Sequence, residues 1–133
     1  LLAARFTDAP GSSDYFIAGY VTYTDEQKHQ ILGVSKELLA RHSAVSEPVA
    51  AAMAQGARNR SGATYGLSTT GYAGPAGGTE FDPVGTVYLG ISGPGGDRGI
   101  RVRHGGDRYR TRALAAQGVL DLLRKNLLAN SSR

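Results

Sequence analysis

GTVYLGISGPGGDRGIRVRH, residues 85–104, holds two runs of strand-forming residues around a glycine-rich turn. Gly85 to Ser92 is dense in β-branched and aromatic residues, which pack well on a pleated surface. Gly93-Pro94-Gly95-Gly96 turns the chain into a hairpin. Gly99 to His104 is the return strand. A period of two sends Ile100 and Val102 to one side and Arg101 and Arg103 to the other. Gly105-Gly106 breaks that strand, and Asp107 is placed to cap a long final helix. Ala113, Ala116, Leu120, Leu123 and Leu127 make one apolar face of that helix.

Upstream of the hairpin lies the densest glycine cluster, Gly71 to Gly78, preceded by a short strand, Tyr65 to Thr70. Ser46 is an N-cap, with Glu47 complementing the helix dipole and Pro48 in the first turn, where N–H groups lack intrahelical partners. Val45 is placed to staple onto Ala50. Val49, Ala52, Met53, Gly56 and Ala57 form the inward stripe of this helix, and Gly62 ends it. Ser35 caps a shorter helix, Lys36 to Arg41. Thr24, with Gln27 three residues on, starts a helix that runs to Leu32 and stops at Gly33. Before it, Ile17 to Tyr23 reads as a strand. Asp8 to Ser13 is a turn punctuated by Pro10 and Gly11. Leu1 to Phe6 has the spacing of a helix end, as if something upstream were missing, and the polar tail Asn130 to Arg133 is expected to fray. Strands alternating with helices, then a hairpin and a helix, predict a mixed sheet covered by helices on both faces.

The chain has 133 residues, of which 19 are glycine. That is about twice ordinary glycine usage, which is about 7%. The glycines follow no Gly-X-Y period, and 41% of residues are apolar, so a single packed domain is expected rather than a fibrous or low-complexity chain. The chain contains no cysteine, which excludes disulfides, thiolate metal sites and a cysteine nucleophile, and fits a cytoplasmic setting. No apolar run is long enough to span a membrane, and no signal-peptide pattern is present. The net charge of +4 admits anionic partners once the charge is located.

Three groups of residues carry candidate chemistry. Tyr23 ends the first strand and Lys28 lies one turn into the next helix. Ligands of open α/β sheets gather at the carboxyl ends of strands. A lysine near a helix N-terminus has its pKa lowered by the dipole and can then act as a general base. The plainer alternative is a solvated lysine beside a core tyrosine. The second group is the glycine loop with Gly71 and Gly74, whose backbone N–H groups can approach a phosphate or an oxyanion closely. An ordinary surface loop is its alternative. The third is the stretch Arg98 to Arg112, where six arginines are opposed by Asp107 alone. Arg108 follows two glycines at a helix start, a ready anion site, and Arg112 lies one turn on. A nucleic-acid surface is disfavoured, because Tyr109 is the sole aromatic side chain interleaved there. The alternative is a charged edge strand, which protects a sheet from wrong pairing. His29, His42 and His104 fall in separate elements, so no metal site is expected. The P-loop, GxGxxG, HExxH and GxSxG motifs are absent.

Taken in order, these segments resemble the CinA C-terminal family (competence/damage-inducible protein A), whose activity is nicotinamide-mononucleotide amidohydrolase. The resemblance runs through Pro10-Gly11-Ser12-Ser13 with Tyr15-Phe16, Gly19 with Val21-Thr22-Tyr23 and Lys28, and Leu32-Gly33-Val34. It continues through His42 with Ala44-Val45-Ser46-Glu47, Gly71 with Ala73-Gly74-Pro75 and Gly77-Gly78, Pro83-Val84-Gly85-Thr86-Val87, and Gly106-Asp107-Arg108 with Arg112.

The resemblance implies an α/β fold, a three-layer α/β/α sandwich with a mixed, mostly parallel sheet, usually dimeric, with no metal and no cofactor. It implies hydrolysis of the carboxamide of nicotinamide mononucleotide to the acid and ammonia. The nucleophile of the family is a serine in a Thr-Ala-Glu-Ser-Cys-Thr-Gly-Gly segment, assisted by the lysine and tyrosine that match Lys28 and Tyr23. Thr70 and Arg108 match positions lining the substrate site. The chain departs from the pattern in lacking that serine segment and the family's first strand, both expected immediately before Leu1. Residues 1–133 are thus expected to be one domain without its N-terminal strand and serine. None of Ser12, Ser13 and Ser68 matches the nucleophile. Smaller departures are Ser43 where the family has glycine and Thr24-Asp25 for Ser-Asn. A non-catalytic nucleotide-binding or competence-related module is the alternative function.

Overall fold

The computed structural model describes residues 1–131. Its elements are α1 (Leu2–Thr7), α2 (Asp25–Leu32), α3 (Lys36–His42), α4 (Glu47–Ser61), β1 (Gly66–Gly71), β2 (Thr86–Gly93), β3 (Gly96–Arg103) and α5 (Arg108–Ser131), with a 3-10 turn at Ser12–Asp14. The helix starts follow their caps. Thr24 Oγ1 accepts from Gln27 N at 3.2 Å, Ser35 Oγ from Leu38 N at 3.0 Å, and Asp107 Oδ1 from Arg110 N at 2.8 Å. Gly33 and Gly62 close α2 and α4 with φ of 70° and 76°, the left-handed conformation that L side chains resist. Ser43 adopts φ 67° and ψ 163° at the end of α3, a region otherwise kept to glycine.

β1, β2 and β3 form one sheet in that order, and both pairings are antiparallel. The hairpin register sets Gly93 opposite Gly96, so Pro94 and Gly95 are the loop. β2 is buried along its whole length because helices cover both of its faces. Val87, Leu89 and Ile91 pack with Ala115, Val119 and Leu122 of α5. Tyr88 points the other way, into a cluster with Val45 and Ala50 at the start of α4. A third cluster joins Leu32, Val34 and Leu39 to Val49 and Met53, which fastens α2 and α3 to α4.

The expected mostly parallel sheet is corrected: the three strands of the described residues run antiparallel. The expected strand Ile17 to Tyr23 is not one. This segment belongs to no helix and to no sheet of the described residues. Strand backbone must pair along its edges, and a cavity lies between this segment and the free edge of β1. Ile17, Val21 and Tyr23 are left 59%, 89% and 82% exposed.

The inward face of α5 is also displaced from expectation. Thr111, Ala115, Val119 and Leu122 are buried together with the expected Ala116, Leu123 packs against the core at partial burial, and Leu127 is exposed. The sheet lies one position round the helix from the densest leucine stripe. On α4, Ala50 and Ala54 are buried deeper than Ala52 and Ala57, because the sheet lies beneath them. The expected fraying of Asn130 to Arg133 falls partly on residues 132–133, outside the described residues. Asn130 Nδ2 donates to Tyr65 Oη at 2.5 Å.

Candidate functional site

A cavity of about 1450 Å³ opens between the Tyr15–Tyr23 segment, the free edge of β1 and the start of α5. Tyr23, Lys28, Thr70, Gly71, Arg108 and Arg112 all line it. These residues come from four separate places in the chain. Gly74 stands just behind the wall, its carbonyl accepting from Arg108 Nη1 at 3.0 Å.

Lys28 is buried, at 7% exposure, although its helix is short and mostly polar. The Thr24 cap fixes where α2 begins, and this turns residue 28 inward. Its Nζ donates to the carbonyl of Thr22 at 2.9 Å. Burial lowers its pKa from 10.5, and the Asp25 carboxylate partly opposes the shift. The direction is the one expected from sequence, but its cause is desolvation by burial rather than the helix dipole. Tyr23 is 82% exposed at the mouth of the same cavity. The plainer alternative, a solvated lysine beside a core tyrosine, therefore has the two residues reversed.

Thr70 is buried and faces Tyr88 across the strand pair. Its hydroxyl donates to the carbonyl of Ala44 at 2.8 Å. Gly71 ends β1 where there is no room for a side chain: a Cβ there would come within 2.6 Å of the Thr86 carbonyl oxygen. Of the serines lining the cavity, Ser68 donates to the Ala50 carbonyl at 2.6 Å and Ser61 to the Ala57 carbonyl at 2.7 Å. Both hydroxyls are thus turned to backbone acceptors.

Two of the six arginines in the stretch are engaged by the 72–85 loop. Arg101 Nε pairs with Asp82 Oδ1 at 3.0 Å and its Nη2 donates to the Phe81 carbonyl at 2.9 Å, while Arg108 holds Gly74. Arg112 is exposed on the cavity wall. The three histidines lie on α2, at the end of α3 and just past β3.

The sequence reading missed two features. Thr111, 1% exposed, lines the cavity beside Arg108 and Arg112 with no hydrogen-bond partner for its hydroxyl among the described residues. Helical spacing of three to four residues from Arg108 was the available signal. The second is the Asp82–Tyr88–Arg101 group, which no local pattern marks. Tyr88 Oη donates to Asp82 Oδ1 at 2.8 Å, the oxygen that Arg101 also engages.

Among curated proteins, a CinA-like protein of Myxococcus xanthus is 52% identical over 130 residues, covering 97% of this chain and 31% of its own length. A CinA-like protein of Solibacter usitatus is 46% identical over 96% of this chain and 30% of its own. The chain thus spans about a third of the length of these curated relatives. Among solved structures, competence damage-inducible protein A (ComA) from Klebsiella pneumoniae superposes with a TM-score of 0.90 at 35% identity, over 96% of this chain and 79% of that one. A competence-damaged protein (CinA) superfamily member from Escherichia coli gives 0.87 at 40% identity, over 92% and 71%. Among the described residues no helix is long and apolar enough to cross a membrane. The CinA C-terminal domain family matches residues 1–127, and the chain belongs to that family.

Proposed function

We propose that this chain forms most of the active site of an amidohydrolase that converts nicotinamide mononucleotide to nicotinate mononucleotide and ammonia. A serine carried by polypeptide outside these 133 residues is the nucleophile. The observation that carries this reading is the buried Lys28 amine, its pKa lowered, on a cavity shared with Thr70, Gly71, Arg108 and Arg112. Family membership supports the same reaction class.

Lys28 Nζ accepts the serine proton as the oxygen attacks the carboxamide carbon. Tyr23 orients the serine or relays the proton. Backbone N–H groups around Thr70 and Gly71 stabilise the oxyanion. The C–N bond breaks, the leaving nitrogen takes the proton from Lys28, and ammonia departs. Water then attacks the acyl-serine and releases the carboxylate. Arg108, Arg112 and the N-terminus of α5 hold the 5′-phosphate, and Gly74 keeps Arg108 in place. The reaction calls on no cofactor. The unpaired edge of β1, facing the Ile17–Tyr23 segment across the cavity, leaves room for an extended segment that brings the serine to Lys28. With it the domain reads as a three-layer α/β/α sandwich, acting as a homodimer.

The test uses the natural full-length polypeptide. It is expected to release ammonia from nicotinamide mononucleotide, and Lys28→Ala is expected to lower kcat by about 100-fold or more while retaining nucleotide binding. Unchanged turnover in Lys28→Ala overturns the mechanism. The engaged hydroxyls of Ser61 and Ser68 favour a second reading for these residues alone, a nucleotide-binding module. Saturable binding without ammonia release by the full-length protein is the outcome that establishes it.

A further inference from the structure

The connection between β1 and β2, residues 72–85, lines the cavity at Ala73 and then folds back on itself. Its base is closed by Tyr72 N to the Thr86 carbonyl at 2.9 Å and Gly85 N to the Tyr72 carbonyl at 2.7 Å. Its crown is held from two sides. On the cavity side, Arg108 reaches the Gly74 carbonyl. On the far side, Asp82 and the Phe81 carbonyl are held by Arg101 of β3. Asp82 is buried and tied locally: its N–H donates to Thr79 Oγ1 and its carbonyl accepts from Thr79 N, each at 2.8 Å. Tyr88 links this group to the site, because it also stands opposite Thr70 in the sheet.

A buried carboxylate is expensive to desolvate, and replacing such a pair by apolar groups is often neutral for stability. What the arrangement does supply is geometry, since one carboxylate oxygen fixes two donors from two strands. We propose that Asp82, gripped by Tyr88 and Arg101, is a positioning residue. It sets the crown of the 72–85 loop at the height where Gly74 can orient Arg108 toward the substrate phosphate. This rests on the amidohydrolase reading for its substrate but not for its geometry. Thr70 and Gly71 are fixed by sheet pairing at the base of the loop, so the clamp governs binding at the crown and leaves the oxyanion donors in place.

The test compares wild type, Arg101→Met and Tyr88→Phe in the full-length protein. Both substitutions preserve side-chain bulk, and Arg101 is on an edge strand at 39% side-chain exposure, so it folds even where Asp82→Ala fails. The expected result is a KM for nicotinamide mononucleotide raised about tenfold with kcat within about twofold. Partial unfolding would instead lower kcat and leave KM alone. Amide hydrogen exchange without substrate is the second readout: residues 73–82 exchange at least tenfold faster in both variants, while β2 and α4 are unchanged. Unchanged exchange in that loop overturns the clamp whether or not the protein turns over the nucleotide. Faster loop exchange in a full-length protein that never acts on it supports the clamp and overturns the amidohydrolase reading alone. Faster exchange with KM unchanged overturns the positioning role.

Discussion

Lys28 Nζ donates to the main-chain carbonyl of Thr22, the residue just before Tyr23. One hydrogen bond therefore joins the two candidate catalytic residues through backbone, and their side chains need not touch. It also ties the Ile17–Tyr23 segment to α2, where the lysine is buried.

Burial of this amine has a consequence for stability against pH. Folding lowers its pKa from 10.5, so between the lowered value and 10.5 the unfolded chain binds more protons than the folded one. Stability therefore rises with pH through that window, and below it the charged amine carries its full burial penalty. Urea unfolding at a series of pH values is expected to show wild type gaining on Lys28→Met as pH approaches 10.5. A pH-independent difference between the two would refute this.

Ser43 sits at φ 67° and ψ 163°, a backbone conformation suited to glycine. Its hydroxyl donates to the Val45 carbonyl at 3.3 Å, a modest return for a backbone region that costs about 1–3 kcal/mol for a side-chain-bearing residue. Ser43→Gly is expected to stabilise the protein by about 1 kcal/mol, read as a raised denaturation midpoint with an unchanged m-value. A lowered midpoint would show that the hydroxyl outweighs the strain.

The Thr24 cap both starts α2 and aims Lys28. Thr24→Ala removes the acceptor for Gln27 N and is expected to cost about 1 kcal/mol. Because the first turn then frays, turnover should fall at the same time, while Ser35→Ala should lower stability alone. Equal activity loss in the two cap variants would contradict the link between cap and lysine.

Val119 is fully buried between α5 and the sheet. Val119→Ala is expected to cost about 2 kcal/mol, from lost transfer energy plus a small cavity, with KM unaltered. Calorimetry and steady-state kinetics on the same preparation check both halves.

The helices were legible in the sequence because their signals are local. Thr24, Ser35, Ser46 and Asp107 each cap within three residues, Gly33 and Gly62 stop their helices, and Pro94-Gly95 makes the hairpin. The motif residues were legible too, since Lys28, Gly71 and Arg108 stand beside helix starts and strand ends. The Ile17–Tyr23 segment misled, because β-branched and aromatic residues state a preference for strand but cannot provide the neighbouring edge. The leucine stripe of α5 misled by one position, because helical period defines an apolar face without saying where on it the sheet will press.

The sequence by itself determined where the helices and the hairpin turn lie, and which family the chain resembles, since caps and turns act over a few residues. Tertiary structure alone decided that β1 pairs antiparallel with β2, that Lys28 is buried while Tyr23 is exposed, and that Asp82, Tyr88 and Arg101 share one carboxylate oxygen. Burial and long-range pairing depend on groups many residues apart meeting in space, and no local pattern encodes that meeting.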